Sequence, residues 1–247
     1  MHLKTVLLTR PPGANESLAV LFRAFGLSPI ICPLIELLEK PVDQEMKRIS
    51  LDLDRYDKII FVSKSSVSFG LPLLQNYWPR WPINLEWFSV GQATAEALSQ
   101  YGVVASFPVL AGSEGLLALA GLQEVMGEEI LIVRGTGGRE LLGQSLGESG
   151  ASVTYLETYR RRLLKHDFSN LVPGTIVILT SAEILENFTS LSGDSLRGYH
   201  AVVPSSRLEK IARTYVFEGV TNAGGASDEA LYDAVIKVIN SSGKANE

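Results

Sequence analysis

The residues best suited to chemistry in this 247-residue chain stand where short Val/Ile/Leu runs give way to helical stretches. They are Thr9 and Arg10, Ser63 with Lys64 and Ser65, Gly91 with Gln92 and Thr94, Arg134 with Gly135, Thr180 with Ser181, and Ser205 with Ser206. The set consists of hydroxyls, an amide, glycines and a few cations, with no carboxylate among them. Each group precedes a helix, whose first turn exposes unpaired backbone N–H groups at the positive end of its dipole. The combined surface therefore suits oxygen-rich anions such as carboxylates. Taken singly, a serine or threonine at such a position serves as a helix cap; it is the collection that points to a ligand.

Tyr159, in ETYRRR, is the ionisable residue that stands out in the second half, because Arg160, Arg161 and Arg162 follow it. A phenol beside cations can donate a proton or a hydrogen bond to a leaving oxygen. Its other reading is a packed tyrosine with its hydroxyl wet at an interface. The arginines themselves fit a solvated stripe. Trp78, Trp81 and Trp87 could stack bases, but without a basic patch around them they fit loop packing or an oligomer contact better. No GxxxxGK[ST] is present, and RGTGGRE carries Glu140 where a dinucleotide fingerprint needs its last glycine. The letters GxSxG occur at 143–147 (GQSLG), but inside the helical phrase ELLGQSLGESG rather than at a strand-to-helix turn, so they make no nucleophile elbow; zinc-ligand spacing, paired catalytic carboxylates and strand-end phosphoacceptor aspartates are missing. Whatever reaction occurs needs little acid–base apparatus.

These residues need elements to hold them, and the chain alternates strand-like and helix-like phrases throughout. TVLLT precedes SLAVLFRAFG, KIIFVS precedes SVSFGLPLL, WFSVG precedes ATAEALSQYG, ILIVRG precedes ELLGQSLGESG, TIVILTS precedes AEILENF, and AVVPS precedes RLEKIARTYV. Continuous apolar strands separated by crossover helices predict parallel sheets covered on both faces, the doubly wound α/β class, with ligands beyond the carboxyl ends of the strands. The length favours two small domains. Hydrophobic residues at 46% supply real cores, and a net charge of −5 argues against a general nucleic-acid or anionic-membrane binder. Cys32 has no second cysteine to pair with, which fits a reducing cytoplasm, and no export signal or membrane-length apolar run is visible.

The two halves repeat the same phrases in the same order. LLTRPPGANESLAVLFRAFGLSPIICPLIEL aligns with LIVRGTGGRELLGQSLGESGASVTYLETY, placing Arg10 opposite Arg134. IIFVSKSSV aligns with VILTSAEIL, FSVGQATAEAL with VVPSSRLEKIA, and SEGLLAL with SDEALYDAV. Each half thus has a βαβ piece, a polar break, and a piece of further strands. The breaks IELLEKPVDQEM and ETYRRRLLKHDFSNLVP read as linkers. Either adjacent or exchanged pieces can complete a domain, and periodicity does not choose between them.

In their order and spacing, LLTRPPGAN, YDKIIFVSKSSV, FSVGQATAEAL, SEGLL, ILIVRGTGGRELLGQSLGESGASVTYLETYRR, VVPSSRLEKIA and ASDEAL resemble the uroporphyrinogen-III synthase family over nearly the whole chain. The resemblance implies two flavodoxin-like doubly wound parallel-sheet domains joined by a two-stranded antiparallel linker. One domain would hold residues 1–36 and 164–247, the other residues 41–158, with hinges at 37–40 and 159–163 and the substrate in the cleft between them. It implies cyclisation of hydroxymethylbilane, a linear tetrapyrrole, to uroporphyrinogen III with loss of water and inversion of ring D, without metal or cofactor. A cytoplasmic monomer is expected, with at most transient contact with the enzyme that makes its substrate and none with nucleic acid or membrane. The family's catalytic tyrosine matches Tyr159, and its binding serine and threonine match Ser63 and Thr94. Ser181, Ser205 and Ser206 hold the corresponding second-half positions. Ser65 stands where some members carry arginine, with Lys64 as a substitute, and Arg10 belongs to the TRP phrase. The remaining alternatives are a two-domain anion-binding or sensory module without chemistry, and a methyltransferase-like or nucleotide-dependent enzyme, disfavoured by the missing glycine fingerprint.

Overall fold

The computed structural model describes residues 5–110, 112–137 and 140–244. In chain order its strands are β1 (Thr5–Leu8), β2 (Ser28–Ile31), β3 (Ile35–Glu39), β4 (Lys58–Phe61), β5 (Glu86–Ser89), β6 (Glu129–Gly135), β7 (Ser152–Leu163), β8 (Ile176–Ile178), β9 (His200–Val203) and β10 (Gly219–Asn222). The helices are α1 (Glu16–Ala24), α2 (Gln44–Leu51), α3 (Lys64–Gln75), α4 (Gln92–Ser99), α5 (Ser113–Leu117), α6 (Leu141–Glu148), α7 (Ala182–Ser192), α8 (Ser206–Ala212) and α9 (Asp228–Lys244). The chain divides into two compact units: Met1–Glu36 with Arg162–Glu247, and Leu37–Arg161.

The first unit carries a parallel sheet of order β10-β9-β8-β1-β2. Inward alternation along its strands explains why both faces are covered. Val6 and Leu8 face one core cluster together with Ile176 and Ile178, while Leu7 and Val177 face the other. The second unit has the order β3-β7-β6-β4-β5, with parallel pairing from β7 through β5. There Ile59, Phe61, Leu131 and Val133 face one cluster, and Ile60, Ile130 and Ile132 the opposite one.

The two sheets are built from equivalent pieces. The βαβ piece of the first half (β1, α1, β2) shares its sheet with β8, β9 and β10 from the end of the chain. The βαβ piece of the second half (β6, α6, β7) shares its sheet with β4 and β5. Beyond β5, where the first unit has β10, stands a single parallel bridge between Phe88 and Ser106. The pieces are therefore exchanged between the halves.

The polar stretch ETYRRR is strand: β7 runs 12 residues to Leu163, with Leu156, Thr158 and Tyr159 buried. One reading of the sequence needs correction. SEGLL, equated with the opening of α9, forms only the five-residue α5, which gives way to a short 3₁₀ turn at Ala120–Leu122, whereas α9 continues for 17 residues. The tryptophans pack at home. Trp78 Nε1 donates to the Ser50 carbonyl at 2.8 Å, and Trp81 meets Trp87 edge-on at 5.1 Å.

Asn187, buried in α7, donates through Nδ2 to the carbonyls of Leu34 (2.8 Å) and Leu164 (2.9 Å), tying the start of β3 to the end of β7. Asn187→Ala leaves both carbonyls without that donor, at a cost of about 2 kcal/mol. We expect the melting temperature to fall by roughly 4–8 °C in scanning calorimetry; a change below about one degree would show that water replaces the amide.

Candidate functional site

Parallel pairing sends the carboxyl ends of the parallel strands, and the helix N-termini that follow them, to one edge of each sheet. In the second unit β4 is followed two residues on by Ser63, the N-cap of α3. Ser63 Oγ accepts from the Ser66 backbone N–H at 3.0 Å, and Ser66 Oγ accepts from the Ser63 N–H at 3.0 Å, a complete capping box. Lys64 follows, exposed, and Ser65 is half-exposed in the first turn. After β5, Gly91 is the N-cap of α4 and supplies no side chain. Gln92 Nε2 is held by Glu96 at 2.8 Å, and Thr94 is buried inside the helix base.

β6 delivers Arg134 and Gly135. Arg134 is 7% exposed and its Nη2 sits between two carboxylates, Glu140 at 2.9 Å and Glu157 at 3.2 Å. The Tyr155 ring lies 3.8 Å from its guanidinium carbon, a cation–π contact. The Tyr155 hydroxyl donates to Glu140 at 3.0 Å. Arg134 and Tyr155 hold the Glu140 carboxyl below its usual range, while burial first, and the Glu140 carboxylate second, push the Tyr155 phenol up. A cavity of about 240 Å³ opens beside this cluster, lined by Val62, Val90, Gly112, Ser113, Ile132, Leu142 and Arg161 as well as Arg134, Gly135 and Tyr155.

Tyr159 owes its position to a break in register. Arg134 pairs with Glu157, but Gly135 pairs with Tyr159, so β7 bulges by one residue and both Thr158 and Tyr159 are buried. The ring stacks on Phe69 at 5.2 Å and presses against Gly135, where an added Cβ would stand 2.5 Å from Tyr159 Cε2. Its hydroxyl lies 3.3 Å from Ser63 Oγ.

The equivalent edge of the first unit carries the counterpart residues. Thr9 is buried and donates to the Ile178 carbonyl of the neighbouring strand. Arg10 Nη2 pairs with Asp228 at 2.8 Å, and Ser17 donates to the same carboxylate. Ser181 and Ser205 cap α7 and α8, accepting from Ile184 N–H at 3.2 Å and Leu208 N–H at 3.3 Å. Ser206 Oγ accepts from Asn222 at 3.0 Å, and Thr180 is half-exposed just ahead of α7.

The structure thus brings Ser63, Arg134, Gly135 and Tyr159 to one edge of the second unit, and Arg10, Thr180, Ser181, Ser205 and Ser206 to one edge of the first. Glu140, Glu157, Tyr155 and Phe69 were missed from the sequence. The repeat held a signal for Glu140, which follows Arg134 at the same spacing as Glu16 follows Arg10. Nothing local announced the bulge. Among the described residues no cluster of three or more His, Cys, Asp or Glu could hold a metal ion, and no helix is long and apolar enough to cross a membrane.

The family model for uroporphyrinogen-III synthase HemD matches residues 16–233. The uroporphyrinogen-III synthase of Salmonella typhimurium is 32% identical over 244 residues, covering 94% of this chain and 99% of that protein. The enzyme of the same name from Escherichia coli matches with the same identity and coverage. Among solved structures, a mutant uroporphyrinogen III synthase from Thermus thermophilus superposes with TM-score 0.64 at 15% identity, covering 98% of this chain and 99% of that one. The Helicobacter pylori uroporphyrinogen-III synthetase gives 0.63 at 15%, covering 95% and 99%. At that identity these structures speak for the fold.

Two outcomes follow from the geometry. Glu140→Gln removes a charge and weakens an acceptor that both disfavour the phenolate, so the Tyr155 titration should move down while staying above the ordinary value of about 10 because burial persists. Ultraviolet difference titration against Tyr155→Phe reads this directly, and an unmoved midpoint would remove Glu140 as a cause. Gly135→Ala overpacks the Tyr159 ring and should cost about 1–3 kcal/mol in urea unfolding; a neutral result would mean the ring has room to retreat.

Proposed function

The chain belongs to the uroporphyrinogen-III synthase family, and on that premise we propose that it closes hydroxymethylbilane to uroporphyrinogen III, with loss of water and inversion of ring D, at the strand ends described above. Membership makes it a cyclising lyase of tetrapyrrole biosynthesis. The observation that carries the assignment to this edge is the pairing of the Ser63 and Tyr159 hydroxyls at 3.3 Å, at the same strand ends as a largely apolar cavity that Arg134, Tyr155 and Arg161 border.

The chemistry suits such a surface. Departure of the terminal hydroxyl gives an azafulvene cation stabilised by the pyrrole itself, so the protein has to assist that departure and hold the chain in a conformation where ring D attacks through a spiro intermediate. Positioning supplies most of the control. The substrate's acetate and propionate groups call for backbone N–H groups, hydroxyls and cations. In this reading Ser63, Lys64, Ser65, Gly91, Gln92 and Thr94 mark the binding edge of the second unit. Arg10, Thr180, Ser181, Ser205 and Ser206 mark that of the first. Arg134 and Gly135 border the cavity, whose volume of about 240 Å³ falls below the roughly 300–1,000 Å³ of sites that enclose a whole small molecule. It takes one part of a larger ligand.

β3 and β7 form the two-stranded antiparallel connection of this reading. Its support is backbone bonding that rises along one strand while falling along the other: Leu164 N–H to the Leu34 carbonyl at 3.0 Å, and Lys40 N–H to the Thr158 carbonyl at 3.0 Å. The protein acts as a cytoplasmic monomer that meets the enzyme releasing its substrate only transiently.

Incubation of the purified protein with hydroxymethylbilane, followed by chromatographic separation of the oxidised products, should give the type III isomer. Accumulation of the type I ring alone, the product of unassisted closure, would overturn the assignment.

A further inference from the structure

Tyr159 is 1% exposed, enclosed by Phe69 on one side and the bare backbone of Gly135 on another. A phenol so covered does not meet a ligand directly. Ser63, half-exposed two residues beyond β4, is placed to do so. A serine hydroxyl has two acceptor sites and one proton. Ser66 N–H occupies one acceptor site of Ser63 at 3.0 Å, and the Tyr159 hydroxyl is 3.3 Å from the same oxygen. With Tyr159 donating into the second site, the Ser63 proton is left to point away from both.

We propose that Ser63 is the residue that donates to the departing hydroxyl of the bilane, and that Tyr159 is a positioning residue acting through it. The proposal rests on the synthase reading above. As the C–O bond of the hydroxymethyl group breaks, its electron pair leaves with oxygen, the Ser63 proton completes a water molecule, and the Tyr159 proton moves onto Ser63 Oγ. The pyrrole nitrogen lone pair stabilises the methylene cation. Ring closure forms the new carbon–carbon bond and releases one proton, which returns through Ser63 to the Tyr159 oxygen, so protons and electrons balance over the cycle. Ser63 never carries a charge, and its cap on α3 keeps its oxygen fixed throughout. Gly135 completes the device, since any side chain there would displace the ring that orients the serine.

The test is a double-mutant cycle on the full-length protein with hydroxymethylbilane as substrate, reading type III formation. Ser63→Ala and Tyr159→Phe should each lower kcat on the order of tenfold or more while KM stays within about twofold, and the double variant should be no slower than Ser63→Ala. Because Ser63→Ala also removes a helix cap, Ser63→Asn serves as a second variant. Its amide oxygen still caps α3 but it offers no hydroxyl proton, so it should melt within a few degrees of the wild type and turn over as slowly as Ser63→Ala. Multiplicative losses in the double variant, or wild-type kcat in Ser63→Asn, would overturn the proposal. If the wild type itself yields only the type I ring, the synthase reading fails; if it makes the type III isomer while the losses multiply, only the role of Ser63 fails.

Discussion

Parallel pairing is the constraint on which the rest of this molecule depends. It makes successive parallel strands return by crossover helices, covers both sheet faces with apolar side chains, and in each unit delivers the carboxyl ends of the parallel strands and the helix N-termini that follow them to one edge of the sheet. Val6 and Leu8 on one face of β1 and Leu7 on the other show the consequence in three residues. Polar side chains have no place along such strands and collect where the strands stop. Ser63, Ser181 and Ser205 stand at equivalent stops and cap the helices that follow. Capping and ligand binding are compatible there, because a cap uses a lone pair of the hydroxyl and leaves its proton available.

At these strand ends charge is balanced within the chain. Both strand-end arginines are engaged by carboxylates of the chain itself, Arg10 by Asp228 and Arg134 by Glu140 and Glu157. A nearly buried guanidinium needs such partners, since an uncompensated charge there is costly. On the proposed reading, a substrate carboxylate that reaches either arginine has to exchange with an internal one, so net attraction falls to backbone N–H groups, hydroxyls and the exposed cations Lys64 and Arg161.

How legible the site was varies residue by residue. Ser63, Gly135 and Tyr159 could be named from type and spacing, yet their relation could not. Strand periodicity puts Tyr159 and Glu157 on one face, whereas the bulge at Arg134/Gly135 turns Tyr159 inward against Phe69 and leaves Glu157 to Arg134. A one-residue slip of register is invisible to a pattern of period two, because it depends on the partner strand. Glu140 and Tyr155 were overlooked for a related reason: each looks like an ordinary surface residue until Arg134 is placed between them.

By itself, the order of residues determined the α/β class, the inward faces of the strands, the duplicated phrases and the hydroxyl-rich strand ends, all properties that neighbouring residues express together. The tertiary structure alone decided that β1 and β2 complete the sheet of β8 to β10 while β6 and β7 complete that of β4 and β5. It also decided which carboxylates hold the arginines and which way Tyr159 points. The reason is physical: apolar alternation is local and survives any choice of partner, whereas sheet neighbours, register and buried charge pairs are selected by packing between segments far apart in the chain, and duplicated segments offer nearly the same local energy to either choice.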